Sequence, residues 1–161
     1  MSSPATGTNP TFFLNLPTAS LPRAIAFYTA LGFTPVQAWS DHSTATFLLP
    51  APNQTISLML HANDRFARFT RPGSSIADAR TSTQALFSIL WNDRESVDKW
   101  LEKAEGAGGK KDPYVMEGYG EEMGMYTRSW EDLDGHIWEG FCMLAKDSEL
   151  QAGQAGQAGK A

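Results

Sequence analysis

The stretch Asp132-Leu133-Asp134-Gly135-His136-Ile137-Trp138-Glu139 decides how the chain is read. Two aspartates one residue apart, followed by glycine, spell a tight turn: Asp side chains bond back to nearby main chain, and glycine accepts a left-handed backbone. The flanks, Met123 to Trp130 and His136 to Met143, are rich in aromatic and apolar residues and read as extended. The turn therefore closes a hairpin, and Glu139 rides on its second strand.

Upstream of the hairpin, Gln84 to Trp91 reads as a strand. A helix capped by Asp93 follows, with Val97, Trp100, Leu101 and Ala104 on one apolar face. Gly106, Gly108 and Gly109 stop it, and a short extended segment is predicted at Tyr114 to Met116. The same order occurs earlier in the chain. Thr11 to Leu16 is extended, Ser20 opens a helix along which Leu21, Ile25, Tyr28 and Leu31 recur at helical spacing, and Gly32 ends it. Extended segments at Phe33 to Trp39, Thr44 to Leu49 and Thr55 to His61 complete the copy, separated by Asp41-His42-Ser43 and Pro50-Ala51-Pro52-Asn53.

Strand-helix-strand-strand-strand thus appears twice, which predicts a duplicated α+β domain. Module one covers about 11–62 and module two about 84–143. The connection, 63–83, contains Phe66, Phe69, Pro72 and Gly73 and is predicted to hold a short helix or lid. Residues 1–8, and 146–161 with their Gln-Ala-Gly repeats, bury nothing and are predicted to be disordered tails.

The 161 residues suffice for one domain, and the net charge of -5 offers no basic surface for nucleic acid. The start lacks a secretory pattern and no apolar stretch is long enough to cross a bilayer, so a soluble, cytoplasmic protein without a membrane partner is expected. Cys142 is the sole cysteine and sits in an apolar strand, as a packed thiol does. It supplies neither a disulfide nor a thiolate cluster.

Phe13-Leu14-Asn15-Leu16-Pro17, Ala26-Phe27-Tyr28 and Leu31-Gly32-Phe33, taken with 132–139, resemble the vicinal-oxygen-chelate superfamily. That superfamily includes glyoxalase I, extradiol dioxygenases, and bleomycin and fosfomycin resistance proteins, and the resemblance spans roughly 9–145. It implies two tandem βαβββ modules forming a curved mixed sheet around a cleft, a homodimer with the cleft near its interface, and a small-molecule ligand or substrate. In metal-dependent members, the first and last strands of each module supply histidine and glutamate ligands to a divalent ion.

The matching positions here are Phe13, Ser57, a residue near Leu86 (Phe87 or Ser88 if the register slips), and Glu139. One carboxylate does not make a catalytic transition-metal site, so no cofactor is favoured. The leading expectation is a metal-independent protein that sequesters a small organic molecule or catalyses a lyase, isomerase or cyclisation step, with Glu139 as general acid or base. Asn15, Ser57, His61, Ser88, Thr127 and Ser129 are its candidate ligand contacts. An alternative joins His61 to Glu139, with further donors from the partner chain, around nickel, zinc, manganese or iron in a glyoxalase-like or dioxygenase-like enzyme. A further alternative is a drug-binding protein for a planar cation. His42 is expected to be solvated and His136 to order its turn, while the five tryptophans pack by default. The loop holding Tyr119 and Gly118, Gly120 and Gly124 is expected to close over a ligand.

Overall fold

The structure is a computed structural model describing residues 10–144; the tails predicted at 1–8 and 146–161 lie outside the described residues. Module one contains β1 (Phe12–Thr18), α1 (Leu21–Ala30), β2 (Thr34–Pro35), β3 (Thr44–Leu48) and β4 (Ile56–Ala62). The connection carries α2 (Asn63–Phe66) and a 3-10 turn at Ala67–Phe69, in keeping with the short helix expected there. Module two contains β5 (Leu86–Leu90), α3 (Arg94–Gly106), β6 (Lys110–Lys111), α4 (Tyr119–Glu122), β7 (Met125–Glu131) and β8 (Ile137–Met143). Two four-stranded mixed sheets result, ordered β1-β4-β3-β2 and β5-β8-β7-β6, each with one parallel pair at its edge.

Two predicted strands differ. The segment from Phe33 to Trp39 pairs only at Thr34 and Pro35, then winds into a 3-10 turn at Gln37–Trp39. Proline has no N–H to extend a ladder. Tyr114 to Met116 is not a strand at all. Lys110 and Lys111 pair with Glu131 and Trp130 instead, after which Asp112 takes a left-handed backbone (φ 45°) and Pro113 interrupts pairing.

The helices follow their sequence signals with one exception. Asp93 Oδ1 accepts from the Ser96 N–H at 2.7 Å, capping α3. Ser20 adopts the extended backbone of a cap, yet its side chain makes no capping bond; the Thr18 hydroxyl accepts from the Ser20 N–H at 3.2 Å.

Strand alternation sends Leu16, Ala45, Phe47, Leu58 and Leu60 from the first sheet, and Ile89, Trp130 and Trp138 from the second, into one shared core. Tyr28 lies between the sheets, its ring 6.2 Å from Phe47 and 5.9 Å from Trp138. Trp130 and Trp138 stack at 5.5 Å, 6° from parallel. Trp100 packs in the same core and Trp91 lies against it, while Trp39 is exposed beside Phe13.

The turn at 132–135 clasps the modules together. Asp132 Oδ1 accepts from the N–H groups of Asp134 and His136, both at 2.9 Å, and Oδ2 accepts from the Tyr28 hydroxyl at 2.5 Å. Burial and the neighbouring Asp132 charge push the Tyr28 phenol well above its ordinary pKa, so it stays a donor. Asp134 accepts from the Thr18 hydroxyl at 2.6 Å and the Ala19 N–H at 3.0 Å. His136 Nε2 donates to the Pro17 carbonyl at 3.2 Å, so its side chain ties the turn to β1.

Each bond from a neutral donor to such a carboxylate is worth about 1.5–3 kcal/mol. Urea unfolding of Tyr28→Phe is expected to show a loss in that range, and Asp132→Ala, which strands the buried Tyr28 hydroxyl and two part-buried N–H groups, a loss of about 3 kcal/mol or more. A double-mutant cycle should return a coupling of about 1–3 kcal/mol; additivity within about 0.5 kcal/mol would show that the clasp does not carry this load.

Candidate functional site

Because both sheets bury the same alternate set of residues, the remaining set points away from the shared core. On the first sheet these are Phe13, Asn15, Ser57, Met59 and His61; on the second, Leu86, Ser88, Thr127, Ser129 and Glu139. Phe13 stands opposite Ser57 in the parallel β1–β4 pair, and Ser88 stands opposite Glu139 in the parallel β5–β8 pair. The register therefore makes Ser88, not Leu86, the third of the expected ligand positions; Leu86 lies one pleat away, opposite Ile137.

Glu139 is half-buried and both its oxygens are engaged. Oε1 accepts from the Ser88 hydroxyl at 2.9 Å and Oε2 from the Tyr114 hydroxyl at 3.1 Å. Burial first, then the Glu139 charge, pushes the Tyr114 phenol up to about 12, so it remains protonated and donating at neutral pH. The carboxylate opens on a cavity of about 290 Å³ that Tyr119, Met116, Val115 and Thr127 also line. Tyr119 lies on α4, which gives the predicted loop a helical turn.

Tyr114 is held in place from behind. Arg128 Nε and Nη2 bind the two carboxylate oxygens of Asp112 at 3.1 and 2.7 Å, fixing its left-handed backbone two residues before Tyr114. Ser129 is buried, and its hydroxyl donates to the Tyr114 carbonyl at 3.1 Å. Ser129 thus supports the wall of the cavity, and Thr127 faces it. Sequence reasoning missed Tyr114, Asp112 and Arg128. Tyr114 and Glu139 are 25 residues apart and meet through an irregular segment, which has no periodicity to read.

The first sheet carries a separate polar cluster. His61 is buried, with Nε2 2.9 Å from Asn15 Oδ1 and Nδ1 2.9 Å from the Thr44 hydroxyl. An amide oxygen only accepts, so Nε2 bears the hydrogen and Nδ1 accepts from Thr44. Burial, then the charge of Arg65, holds the His61 pKa below its ordinary value. Ser57 is fully buried and its hydroxyl donates to the Phe47 carbonyl at 3.0 Å. His42 lies exposed in its turn.

These positions do not suit a catalytic metal. Phe13 has no donor atom, the hydroxyls of Ser57 and Ser88 are weak ligands already committed to other partners, and both His61 nitrogens are occupied. No hydrogen bond joins His61 to Glu139 and the Glu139 cavity is not lined by His61. Among the described residues there is no group of three or more His, Cys, Asp or Glu side chains placed to hold an ion. Nor does any described helix have the length and apolarity to cross a membrane.

The chain is similar in structure to hypothetical protein SA1046 from S. aureus, at 24% identity and a TM-score of 0.63, over 82% of this chain and 91% of that one. Lactoylglutathione lyase from Agrobacterium tumefaciens aligns at 18% identity and a TM-score of 0.57, covering 87% and 96% respectively. The fosfomycin resistance protein FosX from Listeria monocytogenes aligns at 15% and 0.55, covering 88% and 94%. No curated protein matches in sequence. The sequence profile of the glyoxalase/bleomycin resistance protein/dioxygenase superfamily matches residues 12–139, and the chain belongs to that superfamily.

Proposed function

We propose that this protein binds a small organic molecule at Glu139 and acts on it, or sequesters it, without a metal. The observation that carries this reading is the engagement of Glu139 by two hydroxyl donors, Ser88 and Tyr114, at the mouth of a cavity lined by both polar and apolar side chains. A carboxylate oriented this way keeps lone pairs free on both oxygens. It accepts a hydrogen bond from a ligand N–H or O–H, and in the catalytic version it takes a proton from the ligand and returns it. Proton transfer of this kind suits a lyase, isomerase or cyclisation step. Tyr114, kept protonated, stabilises the carboxylate and follows any charge that moves onto the ligand.

The test is Glu139→Gln. Once thermal-shift screening has supplied a ligand, the variant should lose turnover by at least about a hundredfold while binding falls by about tenfold or less. Undiminished turnover would remove the proton-transfer role, and undiminished binding together with absent turnover in the wild type would reduce the protein to a sequestering one.

A homodimer is part of the same reading. Phe12, Phe13, Leu86 and Leu90 are exposed on or beside the faces that carry the two polar clusters. A second copy seated there would cover them, as exposed apolar sheet surface favours. Sedimentation velocity should give a species of twice the chain mass; a monomer across the micromolar range would count against it.

A further inference from the structure

The geometry points to a second ligand site, at the seam between the modules and separate from Glu139. A cleft of about 290 Å³ lies there, with Leu14, Leu16, Phe87 and Ile137 at its base, Phe66 on one side and Ile76 over it. It shares no lining residue with the Glu139 cavity. The edge strands β1 and β5 each pair on one side only and both contribute to it.

The cleft is held open by how the connection between modules is tied down. At one end, Phe66 and Phe69 of the connection pack against His61, with ring centres 6.3 and 5.2 Å away. At the other, the Arg80 guanidinium donates to the Leu133 carbonyl, and the backbone of Arg80 presses on Gly135. A Cβ at Gly135 would lie 2.7 Å from the Arg80 nitrogen, and its φ of 98° already disfavours any side chain. Between these anchors the connection has no helix or strand, and Ile76 reaches the cleft without filling it.

The lining selects a chemical class. It contains no Lys, Arg, Asp or Glu, and its polar side chains, Asn15, Gln84 and His136 among them, lie beside an apolar base. The adjoining cleft does hold charges, yet Arg80 lies 3.9 Å from Asp78 and both Asp134 oxygens are occupied, which leaves little to draw an ion. The occupant is therefore an uncharged, mostly apolar molecule with one hydrogen-bonding group. An apolar cavity of about 150 Å³ takes benzene, so this one suits a fused bicyclic ring or a branched aliphatic of similar bulk. Because its walls come from both modules, an occupant also ties the modules together.

The probe is 2-naphthol, titrated into the full chain by calorimetry and followed by amide chemical shifts. Saturable one-to-one binding tighter than about 1 mM is expected, with a raised melting temperature and shifts centred on Leu14, Leu16, Phe87 and Ile137. Filling the cleft from either side, by Ala85→Trp or Ala77→Trp, should weaken binding by about tenfold or more in whichever variant retains native circular dichroism. Glu139→Gln should leave it unchanged, which separates this site from the function proposed above. Absence of binding, shifts centred on Tyr114 and Glu139, or full affinity in both filled variants would overturn the second site.

Discussion

The Asp132 carboxylate joins the β7–β8 turn of the second module to Tyr28 of the first. It is buried, and it satisfies two N–H groups of its own turn together with the hydroxyl of Tyr28 from the other module. Left unpaired, a carboxylate at that depth would be strongly destabilising. Paired as it is, the turn between β7 and β8 has one shape and one position relative to α1. Asp134 and His136 add bonds to Thr18, Ala19 and Pro17, so the end of β1 is fixed by the same few residues.

The site inherits its precision from this clasp. The turn sets the register of β7 against β8, and that register puts Glu139 between Ser88 and Ser129. Ser88 holds one carboxylate oxygen directly, while Ser129 acts through Tyr114, whose carbonyl it binds and whose hydroxyl reaches the other oxygen. The Arg128–Asp112 fork, on the opposite side of β7, fixes the strained residue that aims Tyr114. Glu139 is thus oriented by elements that are themselves pinned to the shared core.

Much of the fold was legible because it rests on local chemistry. Asp-x-Asp-Gly marks a turn, Asp93 caps a helix, and alternation of apolar residues separates core from outward face. The duplication then supplied the architecture. What escaped is what depends on distant partners. Tyr28 reads as one more apolar residue on a helix face, and nothing nearby in sequence announces that its hydroxyl meets Asp132, 104 residues on. Ser88 could not be told from Leu86 because β5 has no turn close enough to fix its register. His61 read as a residue at a strand end, yet it is buried with both nitrogens paired. Tyr114 reads as part of a strand, which Asp112 and Pro113 prevent.

Metal content decides whether Glu139 works without an ion, since the superfamily includes metal-dependent enzymes and the positions that would hold the ion are Phe13, Ser57, Ser88 and Glu139. The protein should be expressed with nickel, zinc, manganese and iron supplied, purified without chelator, and assayed by elemental mass spectrometry. The expected result is far less than one ion per chain for every metal, with the melting temperature unmoved by a chelator. One ion per chain, lost in a Glu139→Ala variant, would contradict a metal-free site.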